Sequence, residues 1–255
     1  MWDPAQYLRF AGPRMRPALD LLARVLVQSP AAILDLGCGA GNVTASLAAR
    51  WPSGRLVGLD QSEPMLEGAR RSVPEAEFVH ADLTTWEPAR RFDVIYSNAV
   101  LHWVGDHDVV IRRLLDWLTP GGVLAVQMPR NHAEPTHATA WAMVHEPAWA
   151  HLDADRLLPQ PVPEPEFYHD VLAGPTGDID LWETTYVHRL EGVEPVAEWT
   201  TGSFLSPVLE ALGDGATEYL AEYRRRVAAA YPVRPDGTTL YRFRRLFFVA
   251  VKGMP

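Results

Sequence analysis

The stretch ILDLGCGAGN carries Asp35, Gly37, Gly39 and Gly41 in a D-x-G-x-G-x-G spacing. Glycines so spaced permit tight backbone turns and let main-chain N–H groups approach a ligand closely. Two further acids follow, Asp60 nineteen residues after Gly41 and Asp82 in HADL. A carboxylate in the position of Asp60 can accept both hydroxyls of a ribose, and one in the position of Asp82 can accept from an adenine amino group. Each aspartate alone has a plainer use, capping the helix or turn that follows. Together with the loop, they favour a nucleoside-like ligand. A second concentration of chemistry lies in YRFRRLFF, where Arg242, Arg244 and Arg245 alternate with phenylalanine. The planar guanidinium fork binds carboxylates bidentately. In an extended segment Arg242 and Arg244 share one face, with Phe243 and Arg245 on the other. The alternative for these arginines is a solvated strand edge, where charge deters pairing.

The spacing also excludes. A dinucleotide fingerprint reads G-x-G-x-x-G, whereas here the third glycine comes one place early and Asn42 stands where it is expected. A phosphate loop needs G-K-[ST], which is absent, so the ligand lacks a pyrophosphate and a nicotinamide oxidoreductase is disfavoured. Cys38 is the only cysteine, which removes disulfides within the chain and cysteine-rich zinc sites. The histidine pair in HAEPTH (132–137) does not have the H-E-x-x-H spacing, so no metal is expected.

The elements that must position these residues alternate in the first half. AAILDLG (31–37), RLVGLD (55–60), AEFVHAD (76–82), FDVIYSN (92–98) and GVLAVQM (122–128) read as short buried strands, with amphipathic helical patterns between them. Five such strands imply a parallel, doubly wound α/β sheet. TPGG (119–122) reads as a helix stop and turn before the fifth strand. The second half is less regular: a loop-and-helix segment over 129–165, a helix over 164–174, a long strand over 178–190, a helix over 215–232 and a closing strand from Tyr241.

Composition sets the outer limits. The 255 residues are 47% apolar and 22% charged, which suits a chain with a sizeable core. A net charge of -9 argues against a nucleic-acid surface, so any anion site must be built locally. EYRRRVAAAY is basic over one helical turn and reads as a solvated face. With no signal-like N-terminus and no apolar run approaching a membrane span, a cytoplasmic protein is the expectation.

LDLGCGAGN, GLDQSEPML, ADLTTW and FDVIYSNAVLHW resemble the sequential motifs of the class I S-adenosyl-L-methionine-dependent methyltransferases. That resemblance implies Gly37, Gly39 and Gly41 around the methionine moiety, with Asp35 in the same loop. It places Asp60 on the ribose with Gln61 beside it, Asp82 and Leu83 at the adenine, Met65 packed on the adenine, and Asn98 near the transferred methyl. MWDPAQYLRFAGPRMRPALDLL, SNAVLHW, LAVQMPRNHAEPTH, IDLWETTYVH and FRRLFFVA narrow it: the chain is similar, nearly end to end, to the trans-aconitate 2-methyltransferase family. That family methylates one carboxylate of a tricarboxylic acid. The implied reaction gives the monomethyl ester and S-adenosyl-L-homocysteine, and since a carboxylate is already ionised it needs no general base. The implied fold is one Rossmann-like domain over 1–255 with a mostly parallel seven-stranded sheet. Its cofactor half is 1–128, its helical cap comes from 129–165 and 191–240, and its closing strands are 178–190 and 241–252. Arg14 or Tyr7 then meets the methionine carboxylate or the substrate. His102 donates to a substrate carboxylate or is a packed loop histidine, and Trp103 walls the methyl channel or is core. Arg242, Arg244 and Arg245 grip the remaining carboxylates of a small tricarboxylate, with no nucleic acid or membrane as partner. Two other functions stay open: O-methylation of another small carboxylate or polar metabolite, and a non-catalytic sensor of the same cofactor.

Overall fold

The computed structural model describes residues 11–254, with side chains from Met15 onward. Helix α1 (Ala11–Arg24) precedes β1 (Ala32–Leu36), an AILDL strand buried at its last four positions. Then come α2 (Asn42–Arg50), β2 (Arg55–Asp60), α3 (Glu63–Ser72), β3 (Glu77–His80) and β4 (Phe92–Asn98). A 3₁₀ turn (Leu101–Trp103), α4 (His107–Asp116) and β5 (Leu118–Pro129) complete the alternating half. Its strands are near-continuous apolar runs because both faces of a parallel sheet are covered by helices.

The seven strands form one sheet in the order β3-β2-β1-β4-β5-β7-β6, and the β3-β2-β1-β4-β5 ladders are all parallel. This is the doubly wound arrangement expected from the sequence. The order reverses between β1 and β4, and ligands in such sheets bind at the carboxyl ends of the strands beside that reversal. Register sets which residues meet there: Leu36 opposes Leu59 and Ser97, and Asn98 opposes Gln127. The exits of β1, β2 and β4 therefore lie side by side.

Two features differ from the sequence reading. TPGG falls inside β5, whose pairing with β4 jumps from Phe92↔Leu118 to Val94↔Val123, with Gly121 at φ +73° in the bulge between. The proline and glycines break the register while the chain keeps its strand direction. Strand β7 (Thr239–Lys252) runs between β5 and β6 (Thr176–Leu190), so its arginines are not on a sheet edge. Phe247 and Phe248 are fully buried on it.

The chain divides into two compact units. The first contains Arg14–Pro129, Pro163–Thr184 and the chain from Leu246 onward. Its helix α7 (Pro165–Leu172) buries Tyr168, Val171 and Leu172. Lys252, the only lysine, donates from Nζ to the carbonyls of Leu115 (2.8 Å) and Leu118 (3.0 Å). A cation there satisfies carbonyls left open at the end of α4. The second unit contains Arg130–Val162 and Thr185–Arg245, with α5 (Pro135–Val144), α6 (Ala154–Leu157), α8 (Pro195–Thr201), α9 (Ser206–Leu212) and α10 (Ala216–Ala230). Tyr219, Tyr223 and Val227 recur every four residues along α10 and form its buried stripe. They join Trp199, Phe204, Tyr241 and Phe243 in an aromatic-rich core, where the Tyr223 hydroxyl donates to Thr200 Oγ1 at 3.0 Å. Elsewhere on α10, Arg225 and Arg226 pair with Glu222, and Arg226 reaches Glu146 at 2.5 Å. The basic turn noted in the sequence is thus neutralised by carboxylates of its own unit. Among the described residues no helix is long and apolar enough to cross a membrane.

Candidate functional site

The glycine loop lies wholly in the first unit. Gly37, Gly39 and Gly41 all have positive φ (+71°, +54° and +85°), a region that residues with a Cβ enter only at a cost. Their surroundings differ. A Cβ on Gly37 would meet the Val100 side chain at 2.2 Å, and one on Gly41 would meet the Ala69 backbone at 2.9 Å. At Gly39 the nearest atom among the described residues is the Met65 methyl at 4.0 Å, so no described side chain crowds this glycine. The loop is tied to β2 by Gly37 N–H and Cys38 N–H, both donating to the Leu59 carbonyl (2.7 and 3.0 Å).

Asp60 completes that tie. Its Oδ2 accepts from Gly39 N–H and its Oδ1 from Ser62 N–H, each at 2.9 Å. Asp35 is buried behind the loop and accepts from the Thr44 hydroxyl at 2.6 Å. Burial pushes its carboxyl up to about 7, with Thr44 opposing and Asp60 adding to the rise. Burial, with the nearby Asp35 and Asp60, also raises the Cys38 thiol far above its ordinary range, so it is not a nucleophile.

The exit of β4 supplies the third side. The Asn98 Oδ1 and Ser97 Oγ are buried and accept or donate no hydrogen bond among the described residues. Ala99 follows at φ +57°, strained for a residue with a Cβ, and its N–H donates to the Gln127 carbonyl at 2.8 Å. The 3₁₀ turn that carries His102 and Trp103 is anchored from below. His107 is buried, its Nε2 lies 2.9 Å from the Leu101 carbonyl and 3.0 Å from that of Val104, and its Nδ1 lies 2.5 Å from the Tyr168 hydroxyl. Carbonyls only accept, so Nε2 carries the proton. Burial lowers the pKa of this imidazole, which keeps Nδ1 as the acceptor for Tyr168. Trp103 is half exposed and is not core, and His102 packs beside it with ring centroids 5.0 Å apart.

The remaining cofactor candidates are nearer the surface. Asp82 is exposed, and its Oδ1 takes the N–H (2.8 Å) and hydroxyl (2.7 Å) of Thr84. These bonds hold its carboxyl below the usual range. They are the turn-capping use of a strand-end aspartate, and they occupy one of its two oxygens. Leu83 is half-buried beside it, and Gln61 is exposed with its carbonyl 3.0 Å from His80 Nε2. Tyr7 lies outside the described residues, and the backbone of Arg14 is in α1 with its side chain outside them.

The arginines lie in the second unit. Arg242 is exposed, Arg244 is half-buried, and Arg245 is buried with its guanidinium 4.5 Å from the Phe243 ring centre. The alternation matches the sequence: Tyr241, Phe243 and Arg245 line one face and Arg242 and Arg244 the other. Arg130 was not singled out in the sequence, although it is the only basic residue between Arg113 and Arg156. It is 2% exposed, its N–H donates to the Arg244 carbonyl at 2.9 Å, and Arg244 Nε donates back to the Arg130 carbonyl at 3.2 Å. Among the described residues no three His, Cys, Asp or Glu side chains gather as a metal site. His137 stacks on Phe204 at 4.0 Å, and burial with the nearby His132 pushes it down to about 3.

A glycine loop after the first of seven strands, an aspartate at the end of the second and an unpaired amide at the end of the fourth define a class I methyltransferase. A methyltransferase-domain family profile matches residues 33–122. The chain is 46% identical to the trans-aconitate 2-methyltransferase of Azoarcus sp. (strain BH72), over 98% of this chain and 99% of that one. It is equally 46% identical to the protein of the same name from Variovorax paradoxus (strain S110), over 98% of each chain. The chain belongs to the trans-aconitate 2-methyltransferase family. Solved structures share the fold. A methyltransferase described as putative from Bacillus halodurans superposes with TM-score 0.60 at 14% identity, over 94% of this chain and 100% of that one. Phosphoethanolamine N-methyltransferase 2 of Haemonchus contortus, with S-adenosyl-L-methionine, gives 0.56 at 18%, over 94% of this chain and 53% of that one.

Proposed function

We propose that the protein methylates a carboxylate of trans-aconitate with S-adenosyl-L-methionine, yielding the monomethyl ester and S-adenosyl-L-homocysteine. The observation that carries the reading is the 46% identity to family members over 98% of the chain, a match that spans the arginine-bearing half as well as the glycine loop.

The residues present fit the cofactor. Among the described residues nothing crowds Gly39, and the orphaned Asn98 Oδ1 at the exit of β4 calls for a donor. In this reading Gly37, Gly39 and Gly41 surround the methionine portion, and Asp35 offers it a carboxylate. Asp60 takes the ribose, with Gln61 alongside. Met65 packs on the adenine, Leu83 flanks it, and Asp82 uses its remaining oxygen for the amino group. Tyr7 and Arg14 belong to the same set. S-adenosyl-L-methionine, when bound, supplies an electrophilic methyl on a sulfonium.

The chain's own task is then positioning. A substrate carboxylate with a pKa near ~4 is ionised at neutral pH, so no residue has to remove a proton. Its oxygen forms the new bond to carbon as the carbon–sulfur bond breaks, which requires alignment at about 3 Å. The opposite charges cancel, so exclusion of water favours the step. The other carboxylates require cations: Arg244, with its backbone and Nε fixed on Arg130, is the best-held candidate, alongside Arg245 and the exposed Arg242. His102 donates to a carboxylate and Trp103 walls the approach.

The test is mass spectrometry after incubation with cofactor and, separately, trans-aconitate, cis-aconitate, citrate and isocitrate. A new methyl ester with trans-aconitate is the expected result. No ester from any acid, with tight cofactor binding retained, would replace the enzyme by a cofactor sensor.

A further inference from the structure

We infer that Arg130 and Asn131, at the exit of β5, form a carboxylate-binding subsite with Arg244, reserved for a carboxylate that is not methylated. The identity of the ligand rests on the proposed function; the subsite itself rests on the second unit alone.

Both residues are 2% exposed. Their backbones are held: Arg130 exchanges bonds with Arg244 as described, and the Asn131 carbonyl accepts from Glu134 N–H at 2.9 Å. The side chain of Asn131 is different. Its Nδ2 is buried and donates to nothing among the described residues. Buried polar groups are almost always satisfied, so a rigidly held amide without an acceptor points to an acceptor that comes from outside. The neighbouring arginines favour an anion as that acceptor. Arg130 adjoins it in sequence, Arg244 faces Arg130 across the strands, and Glu134 is the sole acidic residue between 130 and 145. A guanidinium has five N–H donors, and among the described residues Arg244 commits only Nε, to the Arg130 carbonyl. An anion with several acceptor lone pairs meets all of these needs, and a planar carboxylate matches the guanidinium fork.

His137 does not compete for the anion, because it is neutral across the working range. The subsite therefore reads charge through arginine and fixes orientation through one amide. In a tricarboxylate, this combination selects which carboxylate is left for reaction.

Asn131→Leu tests this directly. It removes the orphaned amide without leaving a new unpaired group, so it should fold at least as well as the parent in a thermal melt. We expect KM for trans-aconitate to rise about tenfold or more, with KM for S-adenosyl-L-methionine unchanged. Arg130→Lys, which keeps the charge but loses the fork, should do the same. Unchanged KM for the acid in both folded variants would overturn the subsite while leaving the methylation reading intact. If the parent methylates none of the acids, calorimetric titration of parent and N131L with citrate decides the subsite on its own: weaker binding in N131L supports it, and equal binding or none overturns it. A parallel titration with inorganic phosphate separates the anions. Tighter phosphate than citrate binding, abolished in N131L, would overturn the assignment to a carboxylate.

Discussion

Asp35 shows how a loop of small residues controls charge. The carboxyl is buried beneath the glycines, and its acidity is raised to about 7 mainly by that burial. A raised carboxyl stabilises the folded state while protonated. The contribution is complete below the ordinary value of 3.8 and is lost as pH rises to about 7. Asp35→Asn keeps an acceptor for Thr44 and removes the titration. The variant should therefore gain stability on the parent as pH increases from about 4 to 8, in urea melts at each pH. Parallel stability curves for the two proteins would refute the assignment. The same residue predicts a ligand effect. A cation bound nearby draws Asp35 towards its charged form, so the affinity of the parent for S-adenosyl-L-methionine should rise with pH over this window, and that of the Asn variant should not.

Among the elements, the 3₁₀ turn at 101–103 depends on a residue outside it. His107 begins α4, yet its Nε2 bonds the Leu101 and Val104 carbonyls that frame the turn, and its Nδ1 joins it to Tyr168 of α7. His107→Phe preserves the ring volume and strands these partners. Each buried group left unsatisfied costs about 1–3 kcal/mol, so we expect a total loss of about 2–4 kcal/mol in urea unfolding. A loss below about 0.5 kcal/mol would show that the turn holds itself. Since burial lowers the pKa of His107, its contribution is present above the ordinary value of 6.5 and is lost as pH falls through the lower folded value. The Phe variant should lack that acid-side loss. None of this was legible in the sequence, where His107 was one histidine in a helical pattern. The strands and the glycine loop were legible, because apolar runs of strand length and positive-φ glycines leave a local mark. Asn131 left no such mark, since an orphaned amide is a property of its surroundings.

At the scale of the whole molecule, the two sets of proposed binding residues fall in different compact units. The loop, Asp60, Asp82 and Asn98 are in the first, and Arg130, Asn131 and the β7 arginines are in the second. The first set was proposed from motif spacing within one alternating half. The second is drawn from segments more than a hundred residues apart, Arg130 and Arg244, which only the sheet order brings together. This division predicts how damage segregates. Gly39→Ala meets no atom nearer than 4.0 Å, so its folding cost is confined to the positive φ, about 1 kcal/mol, unlike Gly37→Ala, which collides with Val100. Gly39→Ala should raise KM for S-adenosyl-L-methionine about tenfold or more and leave KM for the acid near the parent value. Arg244→Ala should do the reverse, because it removes the proposed partner of the acid. Initial rates over a grid of both substrate concentrations would show the crossed pattern. If each variant raised both constants alike, the two ligands would not be held by separate sets of residues, and the assignment of one set to each unit would fail.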